Sequence, residues 1–127
     1  MRKKVFVAFG GLVGALVISV SLFAHHGGSM YDWTNPVTLT GIVTDYLFVN
    51  PHTQIRFEVM DAKGIVTGWV AESVPVQKLQ RAGWHAKTLK PGDQITVTGA
   101  PNRAGKKELG VVRLVGPAGQ VLGQGVE

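Results

Sequence analysis

Val37-Thr38-Leu39-Thr40-Gly41-Ile42-Val43-Thr44-Asp45-Tyr46-Leu47-Phe48-Val49 is the stretch whose reading decides the fold. Apolar and polar side chains alternate along it, the period of a half-buried strand. Val37, Leu39, Val43, Leu47 and Val49 fall on one face, and Thr38, Thr40 and Thr44 on the other. The run is long for one strand. Gly41 stands in its middle, where a glycine marks a bulge or a strong bend. A long first strand that must bend belongs to a small barrel.

Working outward, Asn50-Pro51-His52 is a turn, because Pro fixes φ and Asn tolerates the position before it. A second strand follows, with Ile55, Phe57 and Val59 inward and Gln54, Arg56 and Glu58 outward. Asp61-Ala62-Lys63-Gly64 closes a hairpin, with Gly64 as the left-handed residue. The third strand spans 65–72 and carries Trp69. Ser73 is placed as a helix N-cap, with Pro75 in the first turn and Gly83 just past the end. Val76, Leu79 and Ala82 recur at helical spacing, so a short helix is expected over 74–82. Leu89-Lys90-Pro91-Gly92-Asp93 turns the chain into a fourth strand at 94–99. A polar loop at 101–107 then leads to a last strand at 108–115. Three strands, a helix and two strands give a mainly β fold, an OB-like Greek-key barrel of five strands. An antiparallel sandwich with a helix beside it is the alternative, but the bent first strand and the helix placement favour the barrel.

Ahead of the barrel, Met1-Arg2-Lys3-Lys4 and an apolar run over 5–23 end at Ala24, the pattern of a secretory signal with its cleavage site. The expected layout is a signal helix at 1–24, an arm at 25–35, the barrel at 36–116 and a flexible tail at 117–127, which one short hairpin arm interrupts. Removing 24 of 127 residues leaves 103, enough for one modest core. Arg2, Lys3 and Lys4 belong to the signal, so 10 of the 13 basic residues remain against 8 acidic ones. A near-balanced charge and an export signal both argue against nucleic acid as partner. The expected compartment is the periplasm, reached through the general export route. An uncleaved segment would instead anchor the domain to the membrane, since 5–23 is about long enough to span a bilayer. The absence of Cys excludes disulfides and a lipid-anchored cysteine.

Cleavage after Ala24 would make His25 the first residue, with His26 beside it. An α-amine and an imidazole on one residue form a chelate whose protons a metal displaces near neutral pH. Nitrogen-rich tetragonal sites suit Cu(II), which also heads the affinity order of divalent ions. His52, on the turn after the first strand, would supply a third nitrogen, an arrangement similar to the histidine brace of exported copper proteins. His26 could take its place. Glu72 would close the site as a ligand or hold a ligand from behind. Tyr31 and Trp33 are the residues expected to pin the arm to the domain.

In these motifs the chain resembles a family of small, exported, uncharacterised bacterial proteins with an OB-like domain. The resemblance rests on Ala24-His25-His26, Pro36-Val37-Thr38-Leu39-Thr40-Gly41, Asn50-Pro51-His52, Trp69 with Glu72, Gly83-Trp84 and Leu89-Lys90-Pro91-Gly92-Asp93. It implies a periplasmic barrel and brings no activity with it. Two departures stand out. His85 replaces an Arg that relatives often carry after Gly-Trp, and Gly27-Gly28 come where a Ser commonly follows the paired histidines.

A module without metal is the alternative function. OB barrels bind oligomeric ligands with aromatics on one sheet face, and Trp33, Trp69 and Trp84, with Tyr46 and Phe48, are the candidates for such a platform onto a small ligand or protein. Aromatics at these positions equally suit core or rim packing. No nucleophile-and-base order, phosphate loop or carboxylate pair is visible, so no catalytic residue is assigned and an enzyme is not the favoured reading.

Overall fold

The structure, a computed structural model, describes residues 29–122. The expected signal segment, His25, His26 and residues 123–127 lie outside the described residues. Among the described residues the elements follow in the order β1 (Val37–Leu47), β2 (Gln54–Met60), β3 (Val66–Glu72), α1 (Val76–Arg81), β4 (Gln94–Pro101), β5 (Glu108–Val115) and β6 (Val121–Leu122). Neighbours run β3-β2-β1-β4-β5-β6, and a parallel pairing of β3 with β5 closes the first five strands into a barrel. The helix sits between the third and fourth strands, as the order of sequence signals implies.

β1 serves two sides of that barrel. Its first half pairs with β4, from Val37↔Gly99 to Ile42↔Gln94, and its second half with β2, from Ile42↔Glu58 to Leu47↔Gln54. The chain bends where the two pairings meet. A Cβ on Gly41 would collide with the Glu58 carbonyl and stand 2.8 Å from Phe57 Cδ2, so glycine is required there for close approach. The bulge itself lies three residues further on, where the register shifts between Val43 and Asp45. The extra residue reverses which side chains face in. Val43 is buried as expected, but beyond the bulge Tyr46 and Phe48 pack against the core. Val49, expected inside, is exposed, and Leu47 is half-buried.

The core joins Val43, Ile55, Phe57, Ala71, Ile95, Val97, Leu109 and Leu114 of the barrel strands with Leu79, Trp84 and Leu89 from the helix and the loop after it. Burying a large apolar side chain contributes about 1.5–3 kcal/mol, which is what holds a helix of this length. Alone, six residues could not stay helical. Ser73 is not its cap. The N-cap is Pro75, whose side chain carries no hydrogen-bonding atom, and the Ser73 hydroxyl is buried without a partner among the described residues. The capping oxygen comes from another part of the chain: Asn50 Oδ1 accepts from the Val76 amide at 3.2 Å. At the other end Gly83 takes φ 84°, and the Trp84 amide donates to the Leu79 carbonyl at 2.9 Å. That turn delivers Trp84 into the core. Residues 117–122, expected to be loose apart from a hairpin arm, form a turn and β6, whose Leu122 is buried.

Candidate functional site

The Asn50-Pro51-His52 turn leaves β1 with a cis peptide bond between Asn50 and Pro51. Backbone bonds then hold it against the end of β3. The Ser73 amide donates to the Thr53 carbonyl at 2.8 Å, and the Thr53 amide to the Val74 carbonyl at 3.4 Å. Within that frame His52 Nδ1 lies 3.0 Å from the Ser73 carbonyl oxygen. A carbonyl oxygen can only accept, so the bond assigns the hydrogen to Nδ1. In the neutral ring Nε2 then carries the lone pair. The side chain is 47% exposed.

Glu72 stands on the other side of this contact. Its Oε1 is 3.7 Å from His52 Nδ1, too long for a hydrogen bond but close enough for charge to be felt. Its Oε2 accepts from the Tyr31 hydroxyl at 3.2 Å. The carboxylate thus lies on the Nδ1 side of the ring, the nitrogen that donates to the Ser73 carbonyl.

Tyr31 belongs to the arm, and the described part of the arm is docked. Tyr31 is buried and forms a bridge with Asn102. The Asp32 amide donates to the Pro101 carbonyl at 2.9 Å, and the Arg103 amide to the Met30 carbonyl at 2.8 Å. Arg103 Nε donates to the Tyr31 carbonyl at 3.2 Å. Trp33 meets the Tyr31 ring edge-on, centroids 5.8 Å apart, and lies over Gly110, where a Cβ would stand 2.6 Å from its Cη2. Both aromatics thus pin the arm as their positions suggest. Burial, and after it the Glu72 carboxylate, push the Tyr31 phenol well above its ordinary range. Hydrogen bonds from the Thr34 hydroxyl and the Asn35 amide, with Arg103 nearby, hold the Asp32 carboxyl down at about 2.

The aromatic platform is not assembled. Trp84 is 3% exposed and packed inside, so it has no face for a ligand. Trp69 is partly buried against the core, with Lys107 Nζ 5.1 Å above its ring, and Tyr46 and Phe48 pack inward as a pair. Trp33 keeps an exposed face. His85 braces a turn: its Nδ1 accepts from the Lys87 amide at 3.2 Å, and its own amide donates to Thr88 Oγ1 at 2.8 Å. Among the described residues no three His, Cys, Asp or Glu gather to hold a metal ion. Also among them, no helix is long and apolar enough to cross a membrane. The partners that sequence reasoning missed are the Ser73 carbonyl and the Tyr31 hydroxyl. Neither leaves a local signal, since the Tyr31–Glu72 contact joins positions 41 residues apart.

The chain belongs to DUF6152, a family of unknown function, whose model matches residues 14–111. No curated protein matches it. Among solved structures it is similar to part of TiaS, described as tRNAIle2 agmatidine synthetase. The apo form aligns at 17% identity and a TM-score of 0.42, over 64% of this chain and 18% of that one. A variant of TiaS lacking its ZRD, in complex with agmatine, aligns at 16% identity and 0.43, over 72% and 22%. The chain thus spans about a fifth of those proteins, and likenesses this slight bear on neither fold nor activity.

Proposed function

We propose that this protein is an exported barrel that binds a transition-metal ion, copper by preference, between the start of its mature chain and the turn at His52. In this reading His25 chelates through its amine and ring, His52 Nε2 supplies a further nitrogen, and His26 stands as its substitute. Glu72 and the Ser73 carbonyl hold the His52 ring from the side away from the ion. The observation that carries the reading is the contact between His52 Nδ1 and the Ser73 carbonyl oxygen. Metal-binding histidines regularly donate their second ring hydrogen to a carbonyl or carboxylate, which fixes the tautomer and leaves the other nitrogen for the ion. Copper, when bound, would be held as Cu(II) by nitrogen donors.

Reach does not limit the arrangement. The six residues from Tyr31 back to His25 span at most about 20–22 Å. The test is a Cu(II) titration against a competing chelator, using protein that begins at His25. His52→Ala should weaken binding by a factor on the order of 10 to 1000, if one good ligand contributes a few kcal/mol. One residue added before His25 should do similar damage, and His85→Ala should change little. If His52→Ala binds as tightly as the parent while the extended chain does not, the ion belongs to the arm alone and the shared site is wrong. Mass and N-terminal sequence of protein recovered from the periplasm test export and the cut after Ala24.

A further inference from the structure

We propose that Tyr31 is the positioning residue that couples docking of the arm to the aim of the His52 ring; this rests on the shared-ion reading above. Tyr31 is 3% exposed, and its backbone is tied on both sides by the Asp32–Pro101 and Met30–Arg103 hydrogen bonds. Its hydroxyl is therefore a fixed point. By donating to Glu72 Oε2 at 3.2 Å it orients the carboxylate and presents Oε1 toward His52 Nδ1 at 3.7 Å. Without the hydroxyl, Glu72 is free to turn and accept the Nδ1 hydrogen itself. That would draw the ring away from the Ser73 carbonyl and redirect Nε2.

The same tyrosine is the arm's buried anchor. The segment that carries the amine and imidazole of His25 starts from the residue that sets the His52 partner. Docked arm, oriented carboxylate and aimed imidazole are one arrangement with two ends. Coupling of this kind is reciprocal: whatever steadies the arm improves the His52 contribution, and an ion held by both ends steadies the arm.

A double-mutant cycle tests this on chains beginning at His25: parent, Tyr31→Phe, His52→Ala and the combination, each titrated with Cu(II) against a competing chelator. Phe keeps the ring packing on Trp33 and Gly110 and removes only the hydroxyl. Tyr31→Phe should weaken binding by roughly 3- to 10-fold in the parent and leave the His52→Ala background nearly unchanged, because residues in one network do not act additively. The nitrogen hyperfine pattern of bound Cu(II) should change in Tyr31→Phe, with a weaker His52 contribution than in the parent. Copper should slow amide exchange at Asp32 in the parent and not in Tyr31→Phe. Glu72→Ala, which removes the link at its other end, should likewise weaken binding in the parent and not in the His52→Ala background, and serves if the tyrosine variant folds poorly. Equal weakening in both backgrounds, with unchanged hyperfine structure, would overturn the coupling and leave the shared ion standing. Full affinity in His52→Ala would overturn the shared ion and the coupling with it.

Discussion

His52 and Ser73 are 21 positions apart in sequence, yet Nδ1 of one stands 3.0 Å from the carbonyl oxygen of the other. The pairing of β2 with β3, which ends at Gln54↔Glu72, brings these two residues together just beyond the ladder. Because the partner is a backbone atom, no substitution at 73 other than a change of backbone path removes it. Nitrogen chemical shifts of the His52 ring in its neutral form should report hydrogen on Nδ1. A spectrum showing hydrogen on Nε2 would mean that the contact is not made in solution.

Gly41→Ala should destabilise the barrel by about 1–3 kcal/mol, as an overpacked site does. Its Cβ would press on the Glu58 carbonyl and on Phe57, which is 1% exposed. Gly68→Ala is the control, since nothing lies within 4 Å of its Cβ position. It should be neutral or stabilise by about 0.4–1 kcal/mol, through fewer unfolded conformations. Urea midpoints of the two variants decide the matter, and equal midpoints would show that β1 can move off β2 at the bend.

Leu79 is the buried residue of α1, and Val76 is only half-buried. Leu79→Asp should prevent folding, because the carboxylate would be buried without a partner. Leu79→Ala should cost about 2–5 kcal/mol. Val76→Asp should be the milder of the two Asp variants. Thermal melts followed by circular dichroism test the ranking, and a well-folded Leu79→Asp protein would show that the helix does not plug the barrel.

Removing the borrowed cap should loosen the helix from its first turn. Asn50→Ala deprives the Val76 amide of its acceptor and should cost about 0.5–2 kcal/mol. Amide exchange at 76–79 should speed up while exchange in β4 stays as it was. Uniform acceleration across the barrel would mean that Asn50 stabilises the turn rather than the helix.

Tyr46 offers a test at alkaline pH. Burial pushes its phenol up to about 12 from an ordinary value of 10, and its hydroxyl has no hydrogen-bond partner among the described residues. The folded state thus holds the proton longer than the unfolded one. The associated stability is complete below about pH 10 and declines as pH rises toward about 12. Tyr46→Phe should flatten that decline and leave neutral-pH stability equal or slightly higher, since an unpaired buried hydroxyl is lost. A variant that declines as steeply as the parent would assign the alkaline loss to other groups, Tyr31 among them.

Much of the barrel was legible because its punctuation is local. Gly64, Gly83 and Gly92 take positive φ where turn chemistry places them, and β5 runs over Glu108–Val115 as the alternation indicates. The bulge after Val43 was not legible. One unpaired residue reverses the inward face, and Gly41 masked it by supplying a glycine with a different task. Asn50 as cap, Trp84 as core and the Tyr31–Glu72 contact share another reason: each is fixed by a partner far along the chain, and neither composition nor period carries that information. The His52 turn could be found from sequence, but its tautomer could not, because the atom that sets it is a main-chain oxygen.

The parallel seam of β3 and β5 joins Val70↔Glu108, Ala71↔Leu109 and Glu72↔Gly110. Pairings this distant along the chain are entropically late to form. Glu72 is one of the seam's own residues, and Trp33 rests on its partner Gly110. An open seam therefore has no oriented carboxylate behind His52 and no seat for the arm. A ligand that needs both will distinguish finished molecules from unfinished ones, and by binding only the former it adds to their stability. If the ion is held as proposed, its loading would act as an inspection of the fold.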